Sequence, residues 1–352
     1  MVRKGGRVWV AIAISSAMSL IASSAMAGYA PYGLGMDVQT GTINNGELHV
    51  QTVNNLWSGT SGSSFATNTY TNDFAGYACD NYAAAWLVTA VYGGSNLNTA
   101  KITATVNGHT IASPTVGNAS GAYDTNPNVY GSSVAGIWVL SLPIDPSYLN
   151  TDGSADSVSV VVSDKTTGAT APFDGRTYYQ SLVTVSQRDG LGTMLDYAFA
   201  AGGGDIGQNS GSCVTSRTLE IGSLSSETID QADLYALYIY GDANQKDKLL
   251  LNGISVLGDD VAAKTGTASY PADFVHASLS PSALAFTSNS LKFTVDPSDF
   301  AVGTTLESSL RPQMVVLGVV HPVPEPGTVA LLFTAAVALA CLRGKYRRCV
   351  GA

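Results

Sequence analysis

Charge is what this chain has least of: 12% of its 352 residues are Asp, Glu, Lys or Arg, whereas 45% are hydrophobic. Glu placed four residues before Lys, the spacing that supports solvated helices, is nearly absent, which argues against long exposed helices. Cysteine is also scarce, at four residues, so a disulfide-dense scaffold is excluded. Cys79 and Cys213 lie in the body and Cys341 and Cys349 near the end. In an oxidising compartment the body pair has one intramolecular pairing open to it, Cys79–Cys213, and free thiols are the alternative. No Cys-x-x-Cys or His-Glu-x-x-His occurs and the four histidines are scattered, so no metal site is legible.

Catalytic signatures are missing as well. There is no Gly-x-Ser-x-Gly elbow, and Lys264-Thr265-Gly266-Thr267 stands without the Ser-x-x-Lys and Ser-Asp-Asn elements that a serine enzyme of the KTG type needs. Glycoside hydrolysis wants two carboxyl groups across one bond, but Glu47, Glu220, Glu227 and Glu307 belong to no motif. Aspartates such as Asp152 and Asp174 precede glycines in turn contexts. His109 and His276 have no acidic partner that the sequence reveals. The expectation is a protein that is not an enzyme.

What is present is Gly, Ser, Thr and Asn, with 37 glycines, 17 tyrosines and 9 phenylalanines. Apolar residues alternate with polar ones in runs such as 85–92, 158–162 and 291–295, punctuated by Gly, Asn, Asp and Pro. This is the pattern of an all-β chain. The phrases recur in order: 86–111 matches 232–256, 137–164 matches 274–299, and 181–187 matches 314–320. Asn107-Gly108 and Asn252-Gly253 predict hairpins, because both central positions of a type I′ turn need positive φ. The body therefore reads as two tandem antiparallel β-sandwich modules of jelly-roll or galactose-binding-like form, 28–205 and 206–322, divided at Gly202-Gly203-Gly204. One large sandwich made from both halves is the alternative. Residues 28–79 read as an extra segment of the first module with a strand at 47–53.

Residues 1–27 have the parts of a secretory signal: Arg3, Lys4 and Arg7, an apolar run, and Ala25-Met26-Ala27 before Gly28 for signal peptidase. At the other end Val323-Pro324-Glu325-Pro326 and Gly327 precede an apolar stretch at 328–342, read as a membrane helix, and the basic cluster Arg343, Lys345, Arg347 and Arg348. With both basic ends on the cytoplasmic side, everything between lies outside. The composite order of this tail resembles the PEP-CTERM sorting segment of Gram-negative bacteria. That resemblance implies an exosortase that cuts near Pro-Glu-Pro and delivers the protein to the cell surface and its polysaccharide matrix. A permanent anchor is the plainer reading of 323–352. The phrases at 173–187 and 195–206 also resemble a β-rich extracellular family of unknown function in archaeal and bacterial surface proteins.

Losing both ends removes seven of 17 basic residues and leaves ten against 26 acids, a formal −16, or −15 if Glu325 leaves too. Nucleic-acid binding by phosphate neutralisation is thereby excluded. The partners expected instead are signal peptidase and exosortase during export, with transient membrane association, and exopolysaccharide afterwards. Trp57, Tyr123 and Tyr130, in loop-like stretches, are candidates for stacking on sugar, whereas Trp86 and Trp138 sit in strands as core. Ca²⁺ is weighed for Asp145, Asp152 and Asp156 and for Asp242, Asn244 and Asp247, against plain solvated turns. The reading is an exported structural or adhesive protein of the cell surface or biofilm matrix. A carbohydrate-binding module and a secreted polysaccharide hydrolase stand second and third.

Overall fold

A computed structural model describes residues 38–54, 56, 67–93, 98–117, 129–132, 137–166, 173–202, 206–209, 212–214, 216–239, 247–257, 272–295 and 309–323. Its first eleven strands are β1 (Gln39–Asn44), β2 (Gly46–Asn54), β3 (Thr67–Phe74), β4 (Asn81–Tyr92), β5 (Thr99–Val106), β6 (His109–Ala112), β7 (Thr115–Gly117), β8 (Val129–Ser132), β9 (Ile137–Pro143), β10 (Asp156–Asp164) and β11 (Arg176–Gln187). Ten more follow: β12 (Thr193–Ala201), β13 (Ile206–Asn209), β14 (Ser212–Val214), β15 (Ser216–Gly222), β16 (Gln231–Ile239), β17 (Lys248–Leu251), β18 (Ile254–Leu257), β19 (Ala272–Ser278), β20 (Asn289–Thr294) and β21 (Ser309–Pro322). Two single 3-10 turns, Pro146–Tyr148 and Pro281–Ala283, complete the regular structure among the described residues. The chain is all-β, as the alternation predicts.

The strands form four antiparallel sheets. One has the order β3-β10-β5-β6 with β7 on β5, and a second the order β2-β11-β4-β9-β8. A third runs β1-β12-β21-β16-β19, with β13 and β14 continuing from β21, and the fourth runs β15-β20-β17-β18. Three hydrophobic clusters fill the spaces between them. Leu87, Val91 and Leu182 of the second sheet pack on Ile102 and Val160 of the first. From the same strands Trp86, Val88 and Val183 point the other way, onto Phe199, Leu237 and Val316 of the third. That sheet in turn sends Leu234, Ala236 and Leu317 against Leu249, Leu291 and Phe293 of the fourth. The two inner sheets are thus covered on both faces. This is why β4 and β11 are nearly continuous runs of buried residues, while β5 and β10 alternate.

The strand order repeats. β2, β11, β4 and β9 are matched by β12, β21, β16 and β19, and β3, β10, β5 and β6 by β15, β20, β17 and β18. Even irregularities recur: Tyr178 on β11 and Gln313 on β21 are each an extra residue where the register to β4 and to β16 shifts, and each follows a paired Arg-x, Arg176 and Arg311. The Asn-Gly turns are formed as predicted, with φ of 49° and 81° at Asn107 and Gly108 and 51° and 82° at Asn252 and Gly253. Each asparagine also ties its hairpin to the turn before the next strand. Asn107 donates to the Tyr148 carbonyl and to Asp156, and Asn252 to the Ala283 carbonyl and to Asn289.

The strand matching changes over before the triple glycine. β12 precedes Gly202 and yet matches β2, so the matched strands fall in 46–187 and 193–322, on either side of residues 188–192. Of the three glycines only Gly202 is described, and its amide bonds the Gln313 carbonyl. Within 38–79, β2 and β3 have counterparts in β12 and β15, and β1 has none. β1 pairs with β12, so the first described strand lies on the third sheet although β2, which follows it, lies on the second. Gly318, at the place of Val183, faces β2, where a Cβ would stand 2.7 Å from Leu48 Cδ2.

Candidate functional site

Two polar clusters stand out from the strand framework. The first is a ledge on β16 and its neighbour β19. Their register sets Tyr235 opposite His276 and Asp233 opposite Ser278, and cross-strand neighbours on one face are within contact distance. The Tyr235 and His276 rings stack, 4.4 Å between centroids and 6° from parallel, and Phe274 lies 6.1 Å from Tyr235. Asp233 Oδ1 accepts from His276 Nε2 at 2.9 Å and from the Ser278 hydroxyl at 2.9 Å, and Oδ2 accepts from the Gln231 amide at 2.5 Å. Burial works against ionising Asp233, but the bonds from His276, Gln231 and Ser278 outweigh it and lower its pKa. An ionised carboxylate can only accept, so Nε2 carries a proton in this pair. The imidazole is half exposed, at 46% of its side-chain surface. The acidic partner that the sequence did not show for His276 is therefore Asp233, 43 residues earlier.

The second cluster is closed. Asp196 on β12 accepts from Thr42 on β1 at 2.6 Å, from the Ser225 amide and hydroxyl at 2.6 and 2.7 Å, and from His321 Nε2 on β21 at 2.9 Å. His321 Nδ1 lies 2.6 Å from the Thr228 carbonyl oxygen. Both ring nitrogens are thus engaged by oxygens, one of the Asp196 carboxylate and one of the Thr228 carbonyl, and the ring is fully buried. The cluster borders a cleft of about 100 Å³ between Thr40–Thr42, Tyr197 and Ile221–Leu224. Ser, Asp and His meet here in the wrong order for nucleophilic catalysis: the carboxylate, not the imidazole, receives the hydroxyl proton. No base is left over, and the arrangement is a clamp.

The residues expected to carry function are dispersed. Asp145, Asp152 and Asp156 each serve a turn: Asp145 accepts from Ser147, Asp152 from Ser154, and Asp156 from Asn107 and the Asn150 amide. Among the described residues no group of three His, Cys, Asp or Glu side chains is placed to hold a metal ion. Cys79 is a free thiol, its pKa raised by burial, so the bridge to Cys213 is not formed. The reason is placement: Cys79 packs at the core between the first and second sheets, whereas Cys213 lies on β14 of the third. His109 stacks on Tyr148 beside its hairpin turn, 4.4 Å between centroids. Trp86 and Trp138 are core, as expected. Of the glycan candidates, Trp57 and Tyr123 lie outside the described residues, and of Tyr130 only the backbone, in β8, is described. The signal at 1–28, Asp242, Asn244, Glu307, the 264–267 turn and everything from Pro324 onward lie outside them too. Among the described residues no helix is long and apolar enough to cross a membrane.

No family model and no curated protein sequence matches the chain. Solved structures do align with it. PNGase F, a glycosylasparaginase from Flavobacterium meningosepticum, aligns over 81% of this chain and 97% of its own at 10% identity and a TM-score of 0.30. A family 2 glycosyl hydrolase from Bacteroides cellulosilyticus aligns over 66% and 24%, at 10% identity and a TM-score of 0.21. A protein solved in complex with neoagarooctaose aligns over 81% and 33%, at 11% identity and a TM-score of 0.24. Scores this low assign this chain neither family nor activity. The expectation of a protein that is not an enzyme is nevertheless withdrawn: PNGase F, an enzyme, aligns over most of the chain, so a missing motif does not exclude catalysis.

Proposed function

We propose that this chain is an exported cell-surface or biofilm-matrix protein, sorted through a PEP-CTERM segment at 323–352 and acting in structure or adhesion through contact with exopolysaccharide. The observation that carries the reading is the composite tail, Val323-Pro324-Glu325-Pro326, the apolar 328–342 and the basic 343–348. Its position supports it. β21 completes the third sheet and ends at Pro322, and the Val323 amide closes onto the Gly192 carbonyl at 3.0 Å, so the motif begins where the body's last strand stops. By sequence, prolines on both sides of Glu325 disfavour a helix there, which suits a protease that binds its substrate extended. The body is read as two divergent copies of one β-sandwich, supported by the matched strand orders, bulges and Asn-Gly turns.

Signal peptidase acts at Ala27–Gly28 and exosortase near Pro-Glu-Pro in this reading, and the membrane association of 328–342 ends with the second cut. The test is mass spectrometry of the protein recovered from the outer surface of a producing cell. Mature chains should begin at Gly28 and end close to Pro326, and replacing Pro324-Glu325-Pro326 with three alanines should leave 323–352 attached. An intact carboxyl terminus on surface-exposed wild-type protein removes the sorting reading.

A further inference from the structure

The ledge on β16 and β19 has the form of a binding site rather than of a core. Within the core, an aromatic ring is covered on both faces. His276 has its inner face on Tyr235 and stands on a strand that, among the described residues, pairs only with β16. Its outer face thus looks past the sheet edge. A flat ring supported from behind and open in front is what the C–H face of a pyranose packs against. Phe274, His276 and Ser278 share this face at two-residue spacing, about 6.8 Å per step along a strand.

Polar groups suited to hydroxyls surround that ring. Asp233 Oδ2 takes one bond, from Gln231, where Oδ1 takes two, so an acceptor position is left at the exposed side of the pair. His276 Nδ1 is a second polar atom on the exposed ring, and the exposed Ser278 carries a hydroxyl beside Asp233. A sugar hydroxyl both donates and accepts, and it can answer such a set. Charge works against acidic polymers: the Asp233 carboxylate, its pKa lowered, sits on a chain whose formal net charge is −9.

We infer that Asp233, Tyr235, Phe274, His276 and Ser278 form a binding site for a neutral hexopyranose chain. The inference deepens the matrix reading and rests on it for the source of the ligand. The other occupant that a free edge strand admits is the β19 edge of a second copy, paired strand to strand.

The experiment is affinity electrophoresis of the full chain through native gels containing hydroxyethyl cellulose, konjac glucomannan or alginate, with light scattering for the oligomeric state. Retardation is expected in at least one neutral polymer and not in alginate. Since Tyr235 also packs into the inner core, His276→Ala, on the exposed ring, carries the decision; it should weaken retardation roughly tenfold with an unchanged circular dichroism spectrum. The site is overturned by migration unaffected by both neutral polymers, by retardation in alginate alone, or by retardation that His276→Ala leaves intact. A dimer that His276→Ala dissolves while migration in all three gels stays unretarded overturns it in favour of a second copy. None of these outcomes bears on cleavage at Pro-Glu-Pro, which fails or stands by mass spectrometry of the carboxyl terminus.

Discussion

His49 illustrates how one residue ties burial to pH. On β2 its ring stacks on Tyr77, 3.5 Å between centroids, and Nε2 bonds the Ser186 hydroxyl. Burial, reinforced by the Arg188 charge, lowers its pKa from 6.5 to about 4. A group that resists protonation only when folded stabilises the fold fully above its unfolded value and loses that contribution as pH falls from about 6.5 to about 4. Solvent reaches part of the ring, so the loss is on the order of 1–2 kcal/mol. His49→Gln keeps a polar contact to Ser186 without the titration, and urea midpoints measured from pH 7 to pH 4 should fall less for it than for wild type. Equal slopes would mean that other groups govern acid stability. His276, by contrast, was legible in sequence only as a histidine in a strand. What it can do depends on Asp233 and Tyr235, which reach it through strand register.

At the scale of the element, the clamp at Asp196 is where β1, β12, β21 and the 225–228 segment are joined. It lies two residues before Val323, at the exit of the body's last strand. Removing one partner of a buried hydrogen-bonded pair leaves the other's polar atoms unsatisfied, at a cost of about 1–3 kcal/mol. His321→Ala and Asp196→Asn should each lower the unfolding free energy by about 1–3 kcal/mol, and hydrogen exchange should quicken at the Ser225 amide. A loss below about 0.5 kcal/mol in both variants would show the pair to be incidental. The sequence could not pair residues 125 positions apart. It also misplaced one strand of the repeat: 181–187 was laid on 314–320, but the matched bulges put Tyr179, not Ser181, at Met314. A two-residue slip keeps every side chain on its own face, so the apolar pattern is blind to it.

Across the whole molecule, the core between the second and third sheets makes the two units depend on one another. Trp86 is central there: its ring stacks on Phe199, 4.4 Å between centroids, and its indole donates to Gln39 at 3.2 Å. Trp86→Ala should cost about 3–5 kcal/mol. Because the inner sheets share this core, unfolding of wild type should be a single transition followed identically by tryptophan fluorescence and far-ultraviolet circular dichroism. Two resolved transitions would mean that the units fold independently. The sequence by itself determined that the chain is all-β, that its phrases repeat and that Asn107 and Asn252 turn hairpins, because alternation and positive φ are local properties. Only the tertiary structure decided that β12 matches β2, that Cys79 stays free, and that Asp233 meets His276 and Asp196 meets His321. Those outcomes depend on which strands lie side by side and which faces meet, and residues far apart in the chain carry no mark of that until they are packed.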